Sequence, residues 1–177
     1  GNQYREAIAS VLLDIHSLNV LANRLLLLAH AGTDAAEVNF REVRVDDVVW
    51  EARTDLLKAW PDHTVSVSFD ASMADLEALM VFGSDLLLKT MMLNLMENGC
   101  KYSDDHHVSV CIGIDQKWCV VVFADHGIGI PPQDMPHIFQ PFYRSDSTRE
   151  HYGHGIGLSL VRSIIDLHKG KVEVKSI

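Results

Sequence analysis

Apolar residues near the start of the chain recur in alternating steps of three and four. Tyr4, Ile8, Val11, Ile15, Leu18, Ala22, Leu25 and Ala29 form the seam of a coiled coil or helix bundle. Leu12, Leu21, Leu26 and Leu28 widen that face. A helix of this length runs about 40 Å at roughly 1.5 Å per residue. It cannot bury such a stripe alone, so it predicts a partner helix in this chain or another. The stretch Ala31-Gly32-Thr33-Asp34 ends it, and residues 1–34 read as one unit.

Residues 35–177 carry a different pattern. Phe40 to Val45 alternates like a short strand. Asp46 or Asp47 is placed to cap a helix running to Ala59, with Val48, Val49, Ala52, Leu56 and Leu57 on one face. Pro61-Asp62 marks a turn, and Val65, Val67 and Phe69 alternate as a strand. Leu79 to Phe82 reads as a buried strand, with Ser84 or Asp85 capping the next helix. That helix turns Leu87, Leu88, Met91, Leu95 and Met96 inward. Val108 to Ile114 and Val120 to Ala124 alternate on either side of Asp115-Gln116-Lys117, predicting an antiparallel hairpin. A glycine-rich stretch over 125–155 precedes a last helix from Ile156 to His168, and Lys171 to Lys175 begins a final strand. Runs of strands with helices to one side predict an α/β fold, an antiparallel or mixed sheet covered by helices on one face.

Composition narrows the chemistry. The 177 residues hold 47% apolar and 22% charged side chains, ordinary globular usage that excludes disorder over most of the chain. Fifteen Lys and Arg against 24 Asp and Glu leave a net charge of −9. So acidic a chain is a poor candidate for general nucleic-acid or anionic-membrane binding. No apolar run approaches the length of a membrane-spanning helix. Three cysteines, Cys100, Cys111 and Cys119, form no C-x-x-C pair. That argues against a disulfide scaffold or structural zinc and for buried reduced thiols.

Four clusters carry possible chemistry. In N-L-M-E-N-G-C-K-Y-S, residues 94–103, Asn94 and Asn98 share a helix face that Lys101 extends. Asn98 offers an amide oxygen to a hydrated Mg²⁺, and Lys101 a point charge to phosphate. Alone, the stripe reads better as a solvated polar face. In D-H-G-I-G-I, residues 125–130, Asp125 leaves the end of a strand while Gly127 and Gly129 allow close backbone approach. A carboxylate accepts hydrogen bonds only, so it takes the adenine amino group and repels the guanine keto oxygen. By itself a D-x-G-x-G is a plain loop. In I-F-Q-P-F-Y-R, residues 138–144, Phe139, Phe142 and Tyr143 anchor a loop from which Arg144 can reach a terminal phosphate, unless they form a small satellite core. In G-H-G-I-G-L-S-L-V, residues 153–161, Gly153, Gly155 and Gly157 open the last helix, whose free N–H groups and dipole favour an anion. Neither a dinucleotide fingerprint nor a P-loop is present.

Taken together, in this order, the clusters resemble the N, G1, F and G2 boxes of the catalytic and ATP-binding domain of bacterial sensor histidine kinases, in the ATPase superfamily that includes gyrase and mismatch-repair ATPases. The resemblance covers nearly the whole chain. It implies a two-layer α/β sandwich over 35–177, and in 1–34 the second helix of a dimerisation and phosphotransfer hairpin. It implies the cofactors ATP and Mg²⁺: Asp125 on adenine, Asn98 on the metal, Asn94 beside the nucleotide. Lys101, Tyr102 and Arg144 would contact phosphates or ribose. Gly127, Gly129, Ile130, Phe142, Gly153, Gly155, Gly157 and Leu158 would line the site, and residues 131–154 would form its lid. Glu97 would orient the acceptor imidazole or act as base; with Lys101 and Arg144 it completes the expected catalytic set.

The same resemblance implies a response regulator as partner, dimerisation through the first helix, a cytoplasmic place for this piece, and membrane attachment only through segments further upstream. The acceptor box, His followed by an acidic residue and then Thr-Pro or Ser-Pro, does not occur around His16 or His30, so the sequence reads as a fragment beginning after the acceptor. His126, His137, His151 and His154 gather along the lid in sequence, as a metal site or as groups whose protonation strengthens phosphate binding near pH 6. Two rival functions remain beside the kinase: an ATP-binding serine kinase regulating a sigma factor, and a degenerate domain used for dimerisation.

Overall fold

The computed structural model describes residues 39–71, 79–145 and 155–176. The expected heptad helix of residues 1–34 lies outside them. Strand β1 (Arg41–Arg44) runs directly into α1 (Val45–Ala59). Strands β2 (Thr64–Phe69) and β3 (Met80–Gly83) follow, then α2 (Asp85–Tyr102), β4 (His107–Asp115), β5 (Trp118–Ala124) and α3 (Gly157–Leu167). Among the described residues no helix is long and apolar enough to cross a membrane.

The expected mixed sheet is present, in the order β2-β4-β5. β2 lies parallel to β4 with Val65 opposite Val108. β4 is antiparallel to β5, from Asp115 opposite Trp118 to Ser109 opposite Ala124. The hairpin turn is therefore Gln116-Lys117, with Gln116 in the left-handed region at φ 54°. Period-two alternation sends Val108, Val110 and Ile112 to the helix-covered face, where each is fully buried.

Helix α1 buries Val45, Val48, Val49, Ala52 and Leu56. Its cap differs from the expectation. Arg44 holds the N-cap position, no side chain caps the helix, and both Asp46 and Asp47 lie in the first turn. Asp46 instead accepts a two-pronged bond from the Arg44 guanidinium, at 3.1 and 2.6 Å. Both carboxylates still sit on the positive end of the helix dipole. Helix α2 is capped by Ser84, whose hydroxyl accepts from the Leu87 N–H. It buries Leu87, Leu88, Met91, Met92, Met96 and Cys100, while Leu95, expected inward, is half-buried. Gly99 lets α2 lie close over the sheet, because a Cβ there would come within 2.6 Å of the Val108 side chain. Helix α3 adds Leu160, Val161 and Ile164, all fully buried.

Two strand expectations are corrected. The segment Leu79–Phe82 is not a buried strand. Leu79 is fully buried but precedes β3, which among the described residues pairs only with β1 in a two-stranded antiparallel ribbon. With one face outward, Met80 and Phe82 are 41% and 69% exposed. Residues 171–176, expected to begin a strand, join no ladder. Their end instead meets the loop after β5, where the Ser176 hydroxyl accepts the Ile130 N–H at 2.7 Å. The three cysteines are free. Burial pushes the Cys100 and Cys119 thiols up to about 11, which keeps them protonated and unreactive near neutral pH.

Candidate functional site

The site is built on the face of α2 that the core leaves free. Asn94 is only 3% exposed. Its amide N–H₂ donates to the Thr90 carbonyl at 2.7 Å. Its oxygen faces the first turn of α3: a Cβ at Gly157 would lie 3.1 Å from Asn94 Oδ1 and 3.6 Å from Asn98 Nδ2. The two asparagines of the first cluster and the last glycine of the fourth thus occupy one place. Helix α3 has no side-chain cap at its N-terminus. The first N–H groups of such a helix favour an anion.

About one turn beyond Asn98 the polar stripe continues. Lys101 Nζ donates to the Tyr102 hydroxyl at 3.0 Å and stands 4.6 Å over its ring. The chain leaving β5 returns to this end of the helix. Gly127 bridges to Ser103, and the Ile128 N–H donates to the Tyr102 carbonyl at 3.2 Å. Asp125 is exposed beside this junction, and its Oδ1 accepts the Gly127 N–H at 2.9 Å. Gly127 has no room for a side chain, since a Cβ would overlap the Tyr102 carbonyl. Gly129 adopts φ +69°. Asp125 is therefore fastened to the same end of α2 that carries Asn98.

The aromatic cluster meets the fourth cluster through backbone. Phe142 donates its N–H to the Gly155 carbonyl at 2.8 Å. Gly155 stands at φ +70°, and a Cβ there would press on Phe142 and on the Tyr143 carbonyl oxygen, 2.6 Å away. Phe142 itself is left-handed at φ 65° and 62% exposed. A bulky residue held in that region carries local backbone strain.

A model of the histidine kinase-, DNA gyrase B-, and HSP90-like ATPase family matches residues 83–177, more than half of the chain. The chain belongs to that ATPase family. It is 32% identical over 169 residues to the signal transduction histidine-protein kinase/phosphatase MprB of Mycobacterium avium, covering 94% of this chain and 31% of that protein. A solved structure of a mycobacterial sensor histidine kinase MprB superimposes with a TM-score of 0.61 at 25% identity, over 74% of this chain and 81% of that one. The full-length ShkA structure, a complex with AMPPNP, shares the fold at 19% identity with a TM-score of 0.71, over 92% of this chain and 34% of that one. The chain thus spans about a third of the length of the curated relatives it matches. The resemblance carried by the four boxes is borne out.

Within the ATPase domain, the described residues among those expected at the site fall into two groups. Asn94, Glu97, Asn98, Lys101 and Tyr102 lie along α2, with Gly157 and Leu158 at the start of α3 and Asp125, Gly127, Gly129 and Ile130 in the loop between β5 and residue 131. Phe142, Arg144 and Gly155 form the second group, around the backbone junction just described. Gly153, His151 and His154 lie outside the described residues. His137 is engaged locally, its Nδ1 at 2.9 Å from the Gln140 amide. Among the described residues no three His, Cys, Asp or Glu side chains gather as a metal site.

Two residues that support the site had no signal in the sequence. His168, at the far end of α3, donates from Nδ1 to the Ile164 carbonyl at 2.7 Å and accepts the Ser84 N–H on Nε2 at 3.0 Å. It stacks on Phe40 at 4.8 Å and touches Gly83. One neutral imidazole thus ties the end of α3 to the start of α2. Burial holds it below the usual histidine value. Asp134, in the loop after Pro131, is buried and accepts the Tyr143 hydroxyl at 2.8 Å.

Proposed function

We propose that this chain is the nucleotide-binding catalytic part of a two-component sensor histidine kinase, transferring the γ-phosphate of Mg-ATP to a histidine carried elsewhere. The observation that carries the reading is the convergence on α2. The start of α3 abuts Asn94 and Asn98, while the Asp125 loop is bonded to Tyr102. The missing Cβ of Gly157 leaves a cradle beside the two amides, and the residues around it fit a hydrated divalent ion and phosphate oxygens. Mg²⁺, when bound, supplies charge neutralisation for phosphate oxygens.

In this reading Asn98 offers its oxygen to that ion and Asn94 shapes the floor beside it. Asp125 accepts the adenine amino group. Lys101, Tyr102 and Arg144 meet phosphates or ribose, and the N–H groups after Gly155 and Gly157 supplement them. Ile130, Phe142 and Leu158 give apolar surface to the nucleotide, and Gly127, Gly129 and Gly153 let backbone approach it. Glu97 orients the acceptor imidazole or takes its proton. Such transfer is mostly positioning and electrostatics, so a fixed helix face is a suitable platform. A response regulator is the downstream partner. Dimerisation comes through residues 1–34, and attachment to a membrane, if the whole protein has it, through other segments. The piece itself works in the cytoplasm.

Calorimetry with ATP, with and without Mg²⁺, tests the site. Metal-dependent binding is expected. Labelled ATP together with a separate hairpin bearing an acceptor histidine tests the reaction. Acid-labile label on the hairpin supports a histidine kinase. Acid-stable label on serine would favour the sigma-factor type of kinase, and metal-independent or absent binding a degenerate module.

A further inference from the structure

The stretch from Pro131 to Tyr143 forms no helix or strand, yet its backbone is closely organised. Asp134 N–H donates to the Pro131 carbonyl at 2.9 Å, His137 to Asp134 at 2.8 Å, Gln140 to His137 at 2.8 Å and Tyr143 to Gln140 at 3.2 Å. These bonds climb in equal three-residue steps. Three residues per turn brings side chains at that spacing over one another. Accordingly the four step residues touch in a column. The His137 ring lies 5.4 Å from that of Tyr143, and its Nδ1 meets the Gln140 amide at 2.9 Å. The column is closed by the Tyr143 hydroxyl donating to Asp134 Oδ1 at 2.8 Å.

Asp134 is the only step residue that is buried: its residue is 8% exposed, whereas His137 and Gln140 are exposed and Tyr143 is half-buried. A second donor reaches the same carboxylate from the Ser145 side chain. These two hydrogen bonds, with a minor contribution from His137, hold the carboxyl below its usual value, so it is ionised at neutral pH. Tyr143 and Ser145 flank Arg144 in sequence. One buried carboxylate therefore grips the residue on either side of the arginine, while Phe142, one step further back, is tied to Gly155.

We propose that Asp134 is a positioning residue for Arg144: by closing the column on Tyr143 it sets the backbone from which the guanidinium reaches the terminal phosphate. The inference rests on the nucleotide reading above. Arg144 sits on a segment with no regular ladder, so a neighbouring buried anchor replaces what a helix would provide. Asp134 itself faces Tyr143 and Ser145 and takes its effect through them.

The test compares calorimetric affinities for Mg-ATP and Mg-ADP in the 177-residue chain and in Asp134→Ala, Asp134→Asn, Arg144→Ala and the double variant Asp134→Ala/Arg144→Ala. Arg144→Ala is expected to reduce the preference for ATP over ADP about tenfold, the scale of one charge-assisted contact. Asp134→Ala should reproduce most of that loss, and the double variant should be no worse than Arg144→Ala. Asp134→Asn keeps an acceptor oxygen for Tyr143 and should recover part of the preference. An unchanged ATP-to-ADP ratio in Asp134→Ala, or losses that multiply in the double variant, overturns the proposal. Should Asp134→Ala fail to fold, Tyr143→Phe removes the same contact and takes its place. Hydrogen exchange of the nucleotide-free chain separates this inference from the reading beneath it. Faster exchange at residues 142–145 in Asp134→Ala, but not in Arg144→Ala, supports the anchor even if the wild type binds no nucleotide. Unchanged exchange there refutes the anchor even if binding is strong.

Discussion

Helix α2 and the loop 131–145 both carry residues proposed to meet the nucleotide, but different forces hold them. On α2 the opposite face is core: Met96 and Cys100 are fully buried, and Met91 and Met92 nearly so. Asn98 and Lys101 are placed because hydrophobic burial fixes the helix beneath them. The loop has no such foundation. Its order comes from backbone steps, the Phe142–Gly155 bond and the Asp134–Tyr143 bond. A helix face changes little unless the whole domain is destabilised. A polar loop can change locally while the domain stays folded, which suits the lid role that the resemblance implies.

That contrast is open to attack from both sides. The largest effect is expected from Met96→Ala, which empties a fully buried volume under the Asn94–Asn98 stripe. It should cost about 3 kcal/mol in urea denaturation, with nucleotide affinity of the folded fraction little changed. A selective loss of affinity without loss of stability would break the comparison. Asn98→Ala is the converse. Mg-ATP affinity should fall on the order of a hundredfold, about 2.7 kcal/mol, while the melting temperature holds, since alanine favours the helix.

His168→Ala probes how α2 is fastened at its far end. Loss of the imidazole and of its bond to the Ser84 N–H should cost about 2 kcal/mol at pH 7.5. The pH dependence has a defined sign. Because burial lowers the folded-state value of His168, the unfolded chain binds the proton more readily. Its contribution is whole above the ordinary histidine range and is lost as pH falls below it toward the lowered value. His63, also lowered by burial and by the neighbouring His106, acts in the same direction. Wild-type stability measured by denaturation should therefore fall from pH 7.5 to 5.5, and His168→Ala should show a smaller fall.

Asp125→Asn should weaken adenine nucleotide binding about tenfold and narrow the preference over guanine nucleotides, because an amide can donate to a keto oxygen. The smallest effect on stability belongs to Tyr143→Phe. It should cost under about 1 kcal/mol of global stability, yet still reduce the ATP-to-ADP preference. If it destabilised the domain as Met96→Ala does, the loop would be part of the core and the distinction would fail.

Much of this was legible in the sequence. Period-two alternation located β2, β4 and β5, and the apolar stripes located α1, α3 and the start of α2 to within a residue or two. Side-chain period is a local consequence of burying one face. What failed was pairing. The run Leu79–Phe82 is apolar enough for a buried strand, but among the described residues its only partner is β1, and Phe82 faces out. Asp46 has the chemistry of a cap, yet the guanidinium two residues earlier takes its carboxylate. Neither outcome is written in spacing. At the site, the helix face shared by Asn94 and Asn98 could be read from a four-residue step. The support from His168, 84 residues beyond Ser84, could not.

The order of the boxes, the periodicity of the elements and the small residues at Gly127 and Gly157 were determined by the sequence alone, because each expresses a constraint acting within a few residues of chain. Which polar groups face one another was decided by the tertiary structure. Asn94 meets Gly157, Tyr102 meets Ile128, Ser84 meets His168 and Ser176 meets Ile130. Hydrogen bonds reward only groups already brought together, and packing of α2 and α3 over the sheet is what brings them there.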